Sequence, residues 1–308
     1  MSDDLRFDGR VAVVTGGGRG LGRSYALLLA AYGAKVVVND PGGELDGDGA
    51  DRGPAHNVVR EIADAGGEAV ASTDSVATPQ GGQAIIETAV QRFGGIDILI
   101  HNAGIVRRAS LVHMTYDDFD AVLDVHLRGA FHVVRPAFPV MCGAGYGRIV
   151  LTSSIGGLYG NHEVANYAVA KAGVIGLSNV AAMEGAAHNV TSNVIVPAAV
   201  TRMAEGIDTS AYPPMGPDLV APVVGYLAHE SCSVTGEMFV ALAGRVAAAA
   251  VIEAPGVYRP SWEIADVAEH IGAIRDLSEP LRFPVVPDGH GDHIRYSFSM
   301  ANRGGAHA

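Results

Sequence analysis

Cysteine is nearly missing from this chain of 308 residues, which has only Cys142 and Cys232. That scarcity excludes a disulfide-stapled secreted scaffold and suits a reduced, cytoplasmic setting, with both thiols expected to be inert. Basic charge is also in short supply: 21 Lys and Arg stand against 33 Asp and Glu, a net charge of −12 at pH 7. Such a surface repels nucleic acid, so a nucleic-acid partner is excluded. No apolar run reaches the ~18–20 residues a membrane-spanning helix needs. The first six residues are charged and lack the apolar stretch of a leader. The last five, Gly-Gly-Ala-His-Ala, are not a peroxisomal S-K-L signal. Internal repeats are missing too. A soluble cytoplasmic protein is the expectation.

What the chain does have is glycine and branched aliphatics, in a regular order. Arg10-Val11-Ala12-Val13-Val14-Thr15 reads as a buried strand. The turn Gly16-Gly17-Gly18-Arg19-Gly20-Leu21-Gly22 follows at once, then a helical run over 21–32. Strand, glycine turn, helix is the context of a dinucleotide site. The glycines let the backbone approach a pyrophosphate, and the helix N-terminus offers free N–H groups. Gly16, Gly20 and Gly22 take that role, with Arg19 and Leu21 beside them. The second strand, 35–40, ends on Asp40, close to the ~20-residue spacing expected for a carboxylate on the adenosine ribose. Its charge opposes a 2′-phosphate, so NAD is favoured over NADP; Arg19 weighs the other way. The same glycines nearly fit a P-loop, but Arg23 stands where that motif needs a compact lysine.

A third strand, 69–76, places Asp74 and Ser75 near an adenine. A fourth, 96–100, runs into His101-Asn102-Ala103-Gly104, whose small residues let the chain pass close to a cofactor. A fifth, 148–152, delivers Ser153 and Ser154 at its end. Downstream, Tyr167 and Lys171 are four apart in a helical stretch over 164–184, so they share one face. A fixed ammonium favours the phenolate and lowers the phenol from its usual ~10, which suits Tyr167 to proton exchange with an alcohol or ketone. Ser154 is the hydroxyl placed to hold the substrate oxygen. An isolated Y-x-x-x-K is mostly accidental; the serine, the glycine turn and the strand order give this one meaning.

These motifs resemble the short-chain dehydrogenase/reductase superfamily over 7–244: T-G-x-x-x-G-x-G at 15–22, N-A-G at 102–104, a serine before Y-x-x-x-K, and Pro197 after the sixth strand. The resemblance implies a nicotinamide-dependent oxidoreductase with Ser154, Tyr167 and Lys171 as catalytic groups and Thr201 on the nicotinamide carboxamide. Further phrases, among them Val37-Val38-Asn39-Asp40, Val125-His126-Leu127-Arg128-Gly129 and His229-Glu230-Ser231-Cys232, resemble the (3R)-hydroxyacyl-CoA dehydrogenase domains of the type 2 peroxisomal multifunctional enzymes, as does the acidic loop 41–53. The chain is too short for those enzymes' other domains, so a stand-alone, bacterial counterpart is expected, as a homodimer or homotetramer. It departs from the superfamily pattern at three places. His126 replaces a common catalytic asparagine, and reads either as a proton relay or as a core histidine. His101 replaces the first asparagine of N-N-A-G, and Ala198 the glycine after Pro197.

The expected fold is α/β: a single Rossmann-type, doubly wound parallel sheet over 1–245, ending in a helix at 220–228 and a strand at 237–242, with a C-terminal extension over 246–308. The extension carries five prolines, Trp262 and a helical stretch at 264–277. It suits a lid, a subunit interface or packing on its own domain. His290-Gly291-Asp292-His293 invites a metal reading, but no further ligand accompanies it, so no metal is expected. Segment 201–217, with Met203, Tyr212 and Met215, reads as a lid over an apolar small molecule, an acyl-CoA or a steroid. Tyr159, Asn161 and His162 are expected in that pocket. Arg107 and Arg108 are either CoA-phosphate contacts or solvated cations. Two functions compete: oxidation of a secondary alcohol, with (3R)-hydroxyacyl-CoA ahead of hydroxysteroid, and a non-catalytic dinucleotide-binding scaffold or redox sensor. Intact Ser154, Tyr167 and Lys171 favour the enzyme.

Overall fold

A computed structural model of the chain describes residues 5–44, 46–47, 49, 51–200 and 212–305. Thr201 and Met203, and with them most of the expected lid, lie outside the described residues. Eight strands form one sheet: β1 (Val11–Thr15), β2 (Lys35–Asn39), β3 (Glu68–Ser72), β4 (Ile98–His101), β5 (Gly147–Thr152), β6 (Val190–Ala198), β7 (Met238–Leu242) and β8 (Arg245–Ala249). Their order is β3-β2-β1-β4-β5-β6-β7-β8, and every pairing from β3 to β7 is parallel.

The helices are α1 (Gly20–Ala31), α2 (Gly53–Asp64), α3 (Pro79–Phe93), α4 (Tyr116–Leu123), α5 (Gly129–Ala144), α6 (Ile155–Tyr159), α7 (Ala165–Gly185), α8 (Ala221–Ala228), α9 (Ile264–Ile274) and α10 (Gly289–Gly305). Strand alternation sorts the core into two layers. Ala12, Val14, Val36, Val38, Ile98 and Ile100 face α1, α2 and α8, meeting Leu29, Ile62 and Leu227. Val11, Val13, Val37, Leu99, Ile149 and Leu151 face α3, α5 and α7, meeting Ile85, Val133 and Val174. Strands buried on both faces explain the unbroken aliphatic runs. The strand order reverses direction between β1 and β4, so the carboxyl ends of these strands frame the crevice where such sheets bind ligands.

Three expectations change. Pro197 lies inside β6, opposite Ala241 of β7, rather than after the strand. β8 follows β7 through Ala243 and Gly244, both at positive φ (48° and 78°), so it turns back antiparallel and the sheet runs past Leu242. Such a turn twists as the strands do, but its usual mark is Asn-Gly or Asp-Gly. The extension holds a second helix, α10, besides α9. The chain divides into compact units at 1–248 and 249–308. Within the second, Glu253 and Leu281 exchange backbone hydrogen bonds, and Glu263 and Asp266 form a reciprocal cap on α9. His293 bonds Glu253 and Asp292 pairs with Arg295, so the histidine turn is engaged within the unit. Among the described residues no cluster of three or more His, Cys, Asp or Glu is arranged to hold a metal.

Candidate active site

The turn between β1 and α1 is held open by steric need. Gly16 has φ +62°, and a Cβ there would lie 2.8 Å from the Ala103 Cα. A Cβ on Gly22 would lie 2.0 Å from the Gly16 carbonyl oxygen. The turn therefore folds flat against both α1 and the Asn102–Gly104 segment. Arg19 caps α1 without a side-chain hydrogen bond to its first amides. Those amides face the cleft, the arrangement a pyrophosphate requires. Asn102 Nδ2 donates to the Gly16 carbonyl at 3.2 Å and clamps the turn from β4.

Asp40, just past β2, accepts from Gly18 N–H at 3.0 Å and from Gly42 N–H at 2.8 Å through separate oxygens. It thus ties the glycine turn to the loop 41–53. Arg19 reaches the same loop, donating to the Gly43 carbonyl at 3.1 Å. Arg23 pairs with Glu61 on α2, which takes it away from the phosphate position of the P-loop alternative.

Thr15 opens the glycine motif, and its buried hydroxyl is a junction. It accepts from Asn102 N–H (3.1 Å) and Ala103 N–H (3.2 Å) and bonds His101 Nδ1 (3.0 Å). His101 Nε2 faces the His126 carbonyl at 3.2 Å. Burial, with Lys171 nearby, pushes His101 down to about 3, so it is neutral.

His126 sits on a single π-helical turn, Asp124–Arg128, between α4 and α5. Such turns are often found at functional sites. Its Nε2 lies 2.8 Å from the Ile105 carbonyl and 3.0 Å from the Ile105 amide nitrogen, and its Nδ1 is buried without a hydrogen-bond partner among the described residues. The ring stands edge-to-face with Tyr167, centroids 5.1 Å apart. Burial holds its pKa well below the usual histidine value. Gly104 is needed beside it, since a Cβ there would be 2.3 Å from His126 Cε1.

The two serines after β5 separate in role. Ser153 is buried and donates to the Lys171 carbonyl at 2.6 Å, fastening α7 to the sheet. Ser154 caps α6, accepting from Gly156 N–H at 3.2 Å, and lies close enough to the Tyr167 phenol to lower its pKa. Gly156 packs between them, with its Cβ position 3.7 Å from both Ser154 Oγ and Tyr167 Cε1. Lys171 donates to the Thr152 carbonyl at 2.6 Å, and its Nζ stands 5.6 Å from the Tyr167 ring centroid. Burial pushes Lys171 down to about 7. Burial also pushes the Tyr167 phenol up, against Ser154 and Arg108, which lower it. The expected depression of the phenol by Lys171 is thus not a property of these residues alone. Both groups are buried, and desolvation is the largest influence on each.

One cleft of about 560 Å³ joins the two halves. Its walls include Gly16, Arg19, Gly20, Leu21, Asp40, Ser75, Asn102, Ala103, Gly104, His126, Tyr167, Lys171 and Pro197. Gly22 supports it from behind. Asp74 is not among the walls; it turns toward the β2–β3 ends, accepting from Ser72 Oγ at 3.1 Å. The walls also include residues that carry no local signal in the sequence, among them Asn39, Thr73 and Val125 and the loop residues Gly43, Glu44, Gly47 and Gly49. The loop read as solvated Gly/Asp sequence, and nothing local says that it folds inward. A second cavity of about 510 Å³ is lined by Ser110, Leu111, Asn161, His162, Glu163 and Ala165. Tyr159 is not part of it and is 82% exposed.

A sequence model of the short chain dehydrogenase family matches residues 10–210. The chain belongs to this family. It is 47% identical, over 97% of its length and 53% of the relative's, to the peroxisomal multifunctional enzyme type 2 of Drosophila melanogaster. The solved full-length structure of that enzyme matches with a TM-score of 0.78 at 41% identity, covering 94% of this chain and 49% of that one. A putative short-chain type dehydrogenase/reductase of Mycobacterium tuberculosis is 45% identical over 87% of this chain and 95% of its own. The chain therefore spans about half the length of the fly enzyme and nearly all of the mycobacterial one. It is an oxidoreductase of a family that binds a nicotinamide dinucleotide, and its glycine cradle, the α1 amides left without a side-chain cap and the Asp40 carboxylate past β2 fit that group.

Proposed function

We propose that this short-chain dehydrogenase oxidises a 3-hydroxyacyl-CoA, with NAD in preference to NADP. The observation that carries the reading is that Tyr167 and Lys171 line the β5–α7 end of the cleft that the glycine cradle opens, with Ser154, which is not itself among the walls, beside the Tyr167 ring across Gly156. A bound NAD would supply the hydride acceptor for the carbinol carbon. Tyr167 Oη takes the hydroxyl proton, and Ser154 Oγ holds the same oxygen. Lys171 Nζ, poised near neutrality and fixed on the Thr152 carbonyl, stands behind the phenol to hold or pass that proton. His126 acts as a positioning residue: neutral, it fixes the Ile105 peptide and the Tyr167 ring.

Asp40 supports NAD, because its charge meets the ribose hydroxyls and opposes a 2′-phosphate. Arg19 is occupied by the Gly43 carbonyl, which supports the same choice. The acyl-CoA assignment draws on the named relatives, on the second cavity beside the catalytic helix, and on exposed Leu111 and Val112 at its edge. Exposed Arg108, close enough to Tyr167 to act on its phenol, suits the phosphates of a coenzyme A ester. A homodimer or homotetramer is supported by exposed Phe131 on α5 and Val180 on α7. A cytoplasmic location is supported by two free cysteines; among the described residues no helix is long and apolar enough to cross a membrane.

The test is NADH formation from 3R- and 3S-hydroxyacyl-CoA esters and hydroxysteroids, with NADP and Tyr167→Phe as controls. Turnover of a 3R ester with NAD, lost in Tyr167→Phe, is the expected result. Turnover of steroids alone would replace the substrate. Full activity in Tyr167→Phe would refute the mechanism, and NAD binding without any turnover would favour a scaffold.

A further inference from the structure

Arg107 does not wait for a substrate phosphate; its donors are already engaged. Nε donates to the Asp46 carbonyl at 2.8 Å, and Nη1 to Asp118 Oδ1 at 3.3 Å. Asp46 belongs to the loop 41–53, whose Gly43, Glu44, Gly47 and Gly49 wall the cleft. Asp118 lies in the first turn of α4, where Thr115 caps it. The Arg107 carbonyl accepts from Asn166 Nδ2 at 3.0 Å, and the same nitrogen donates to the Asp118 carbonyl at 3.0 Å. Asn166 is buried, directly precedes Tyr167, and accepts from the Tyr167 amide at 2.8 Å. Two residues on, Ala109 N–H donates to the Glu163 carbonyl at 3.0 Å, so the segment is fastened to the start of α7 twice.

We infer that Arg107 is a positioning residue that couples the loop carrying Asp46, whose neighbours Gly43, Glu44, Gly47 and Gly49 wall the dinucleotide side of the cleft, to the placement of Tyr167. This rests on the proposed function and deepens it. The geometry calls for an arginine. Two acceptors on separate elements, one a neutral carbonyl and one a carboxylate, are met by the two arms of one rigid guanidinium, which a lysine ammonium does not span in the same way. The loop is held on its other side by Arg19 on Gly43 and by Asp40 on Gly42. A dinucleotide touching Asp40 and the loop walls would therefore load the Arg107 contact. Through Asn166 that load reaches the first turn of the catalytic helix. The inserted loop thus becomes part of the active site, and cofactor occupancy organises the proton-transferring end of the cleft.

The experiment compares wild type, Arg107→Met and Arg107→Lys in NAD binding, steady-state kinetics and amide hydrogen exchange. Losing two hydrogen bonds, one of them charged, should weaken NAD binding about tenfold and lower kcat about tenfold. Arg107→Lys, which restores one contact, should fall between. In the wild type, NAD should slow exchange at 16–22 and also at 116–119 and 165–168; in Arg107→Met only the protection at 16–22 should remain. Without any ligand, Arg107→Met should speed exchange at 42–47 and 116–119 together. That arm reads the brace without a cofactor, so its failure is distinguishable from failure of the proposed function, which a wild type that binds no NAD would sink together with the coupling. The inference is overturned if Arg107→Met keeps NAD-dependent protection at all three places, or if it only lowers the melting temperature while NAD affinity and kcat stay at wild-type values.

Discussion

Asp40→Asn isolates the charge that is proposed to choose the cofactor. The carboxylate uses one oxygen for Gly18 N–H and the other for Gly42 N–H. Asparagine keeps the shape and one acceptor, but turns an amide N–H₂ toward the other donor. One backbone hydrogen bond to a charged acceptor is lost, about 1.5–3 kcal/mol at the outside. NAD should therefore bind about tenfold or more weakly. NADP feels a second, opposite effect. A carboxylate and one phosphate charge about 4–5 Å apart, at an effective dielectric of about 20–40 for a half-buried site, repel by about 2–4 kcal/mol. Removing that charge returns about 30- to 1000-fold to NADP, against the roughly 10- to 150-fold that the lost hydrogen bond takes from both dinucleotides. The preference for NAD should accordingly shrink by the first factor or invert. Calorimetric titration of each dinucleotide reads this without a substrate. A wild type that binds NADP as tightly as NAD, or a ratio unmoved by the substitution, would refute the reasoning and make Arg19 the deciding group.

Other outcomes follow from the same geometry. Gly22→Ala must push its Cβ out of the Gly16 carbonyl at 2.0 Å, so the folded protein should lose dinucleotide binding while its far-ultraviolet circular dichroism stays unchanged. Arg148 is buried and donates to the carbonyls of Gly147, Asn189, His229 and Glu230; Arg148→Met should destabilise the fold by about 2–4 kcal/mol in urea titrations, because those acceptors are left without their donor. Burial depresses Lys171 to about 7, so between that value and the ordinary lysine range the unfolded chain binds the extra proton and stability rises with pH. Lys171→Met should therefore melt above the wild type at pH 6, with the gap closing as pH rises from 7 toward 10; a gap that does not depend on pH would show that the ammonium is not desolvated.

The sequence by itself determined the strand-turn-helix cradle, the parallel sheet and the helix face that Tyr167 and Lys171 share. Each is written in local periodicity: unbroken Val and Ile runs for strands buried on both sides, glycine where backbone meets backbone, and Tyr167 and Lys171 one helical turn apart. Ser154 was legible because a strand end points into the crevice. β8 was not, since its turn uses Ala243 at positive φ where the usual signal is Asn or Asp before glycine. The loop 41–53 was not either. Its inward fold is held by Arg19, Asp40 and Arg107, residues far apart along the chain, and no local pattern records such a contact. Only the tertiary structure showed that Ser153 binds the Lys171 carbonyl while Ser154 does not, and only it separated Arg107 from Arg108. Each pair is made of like neighbours in sequence, and what divides them is which side chain burial leaves facing an acceptor. The same holds for the titrating groups. A lysine beside a tyrosine suggests a lowered phenol, but desolvation depends on what covers both, and only the folded chain supplies that cover.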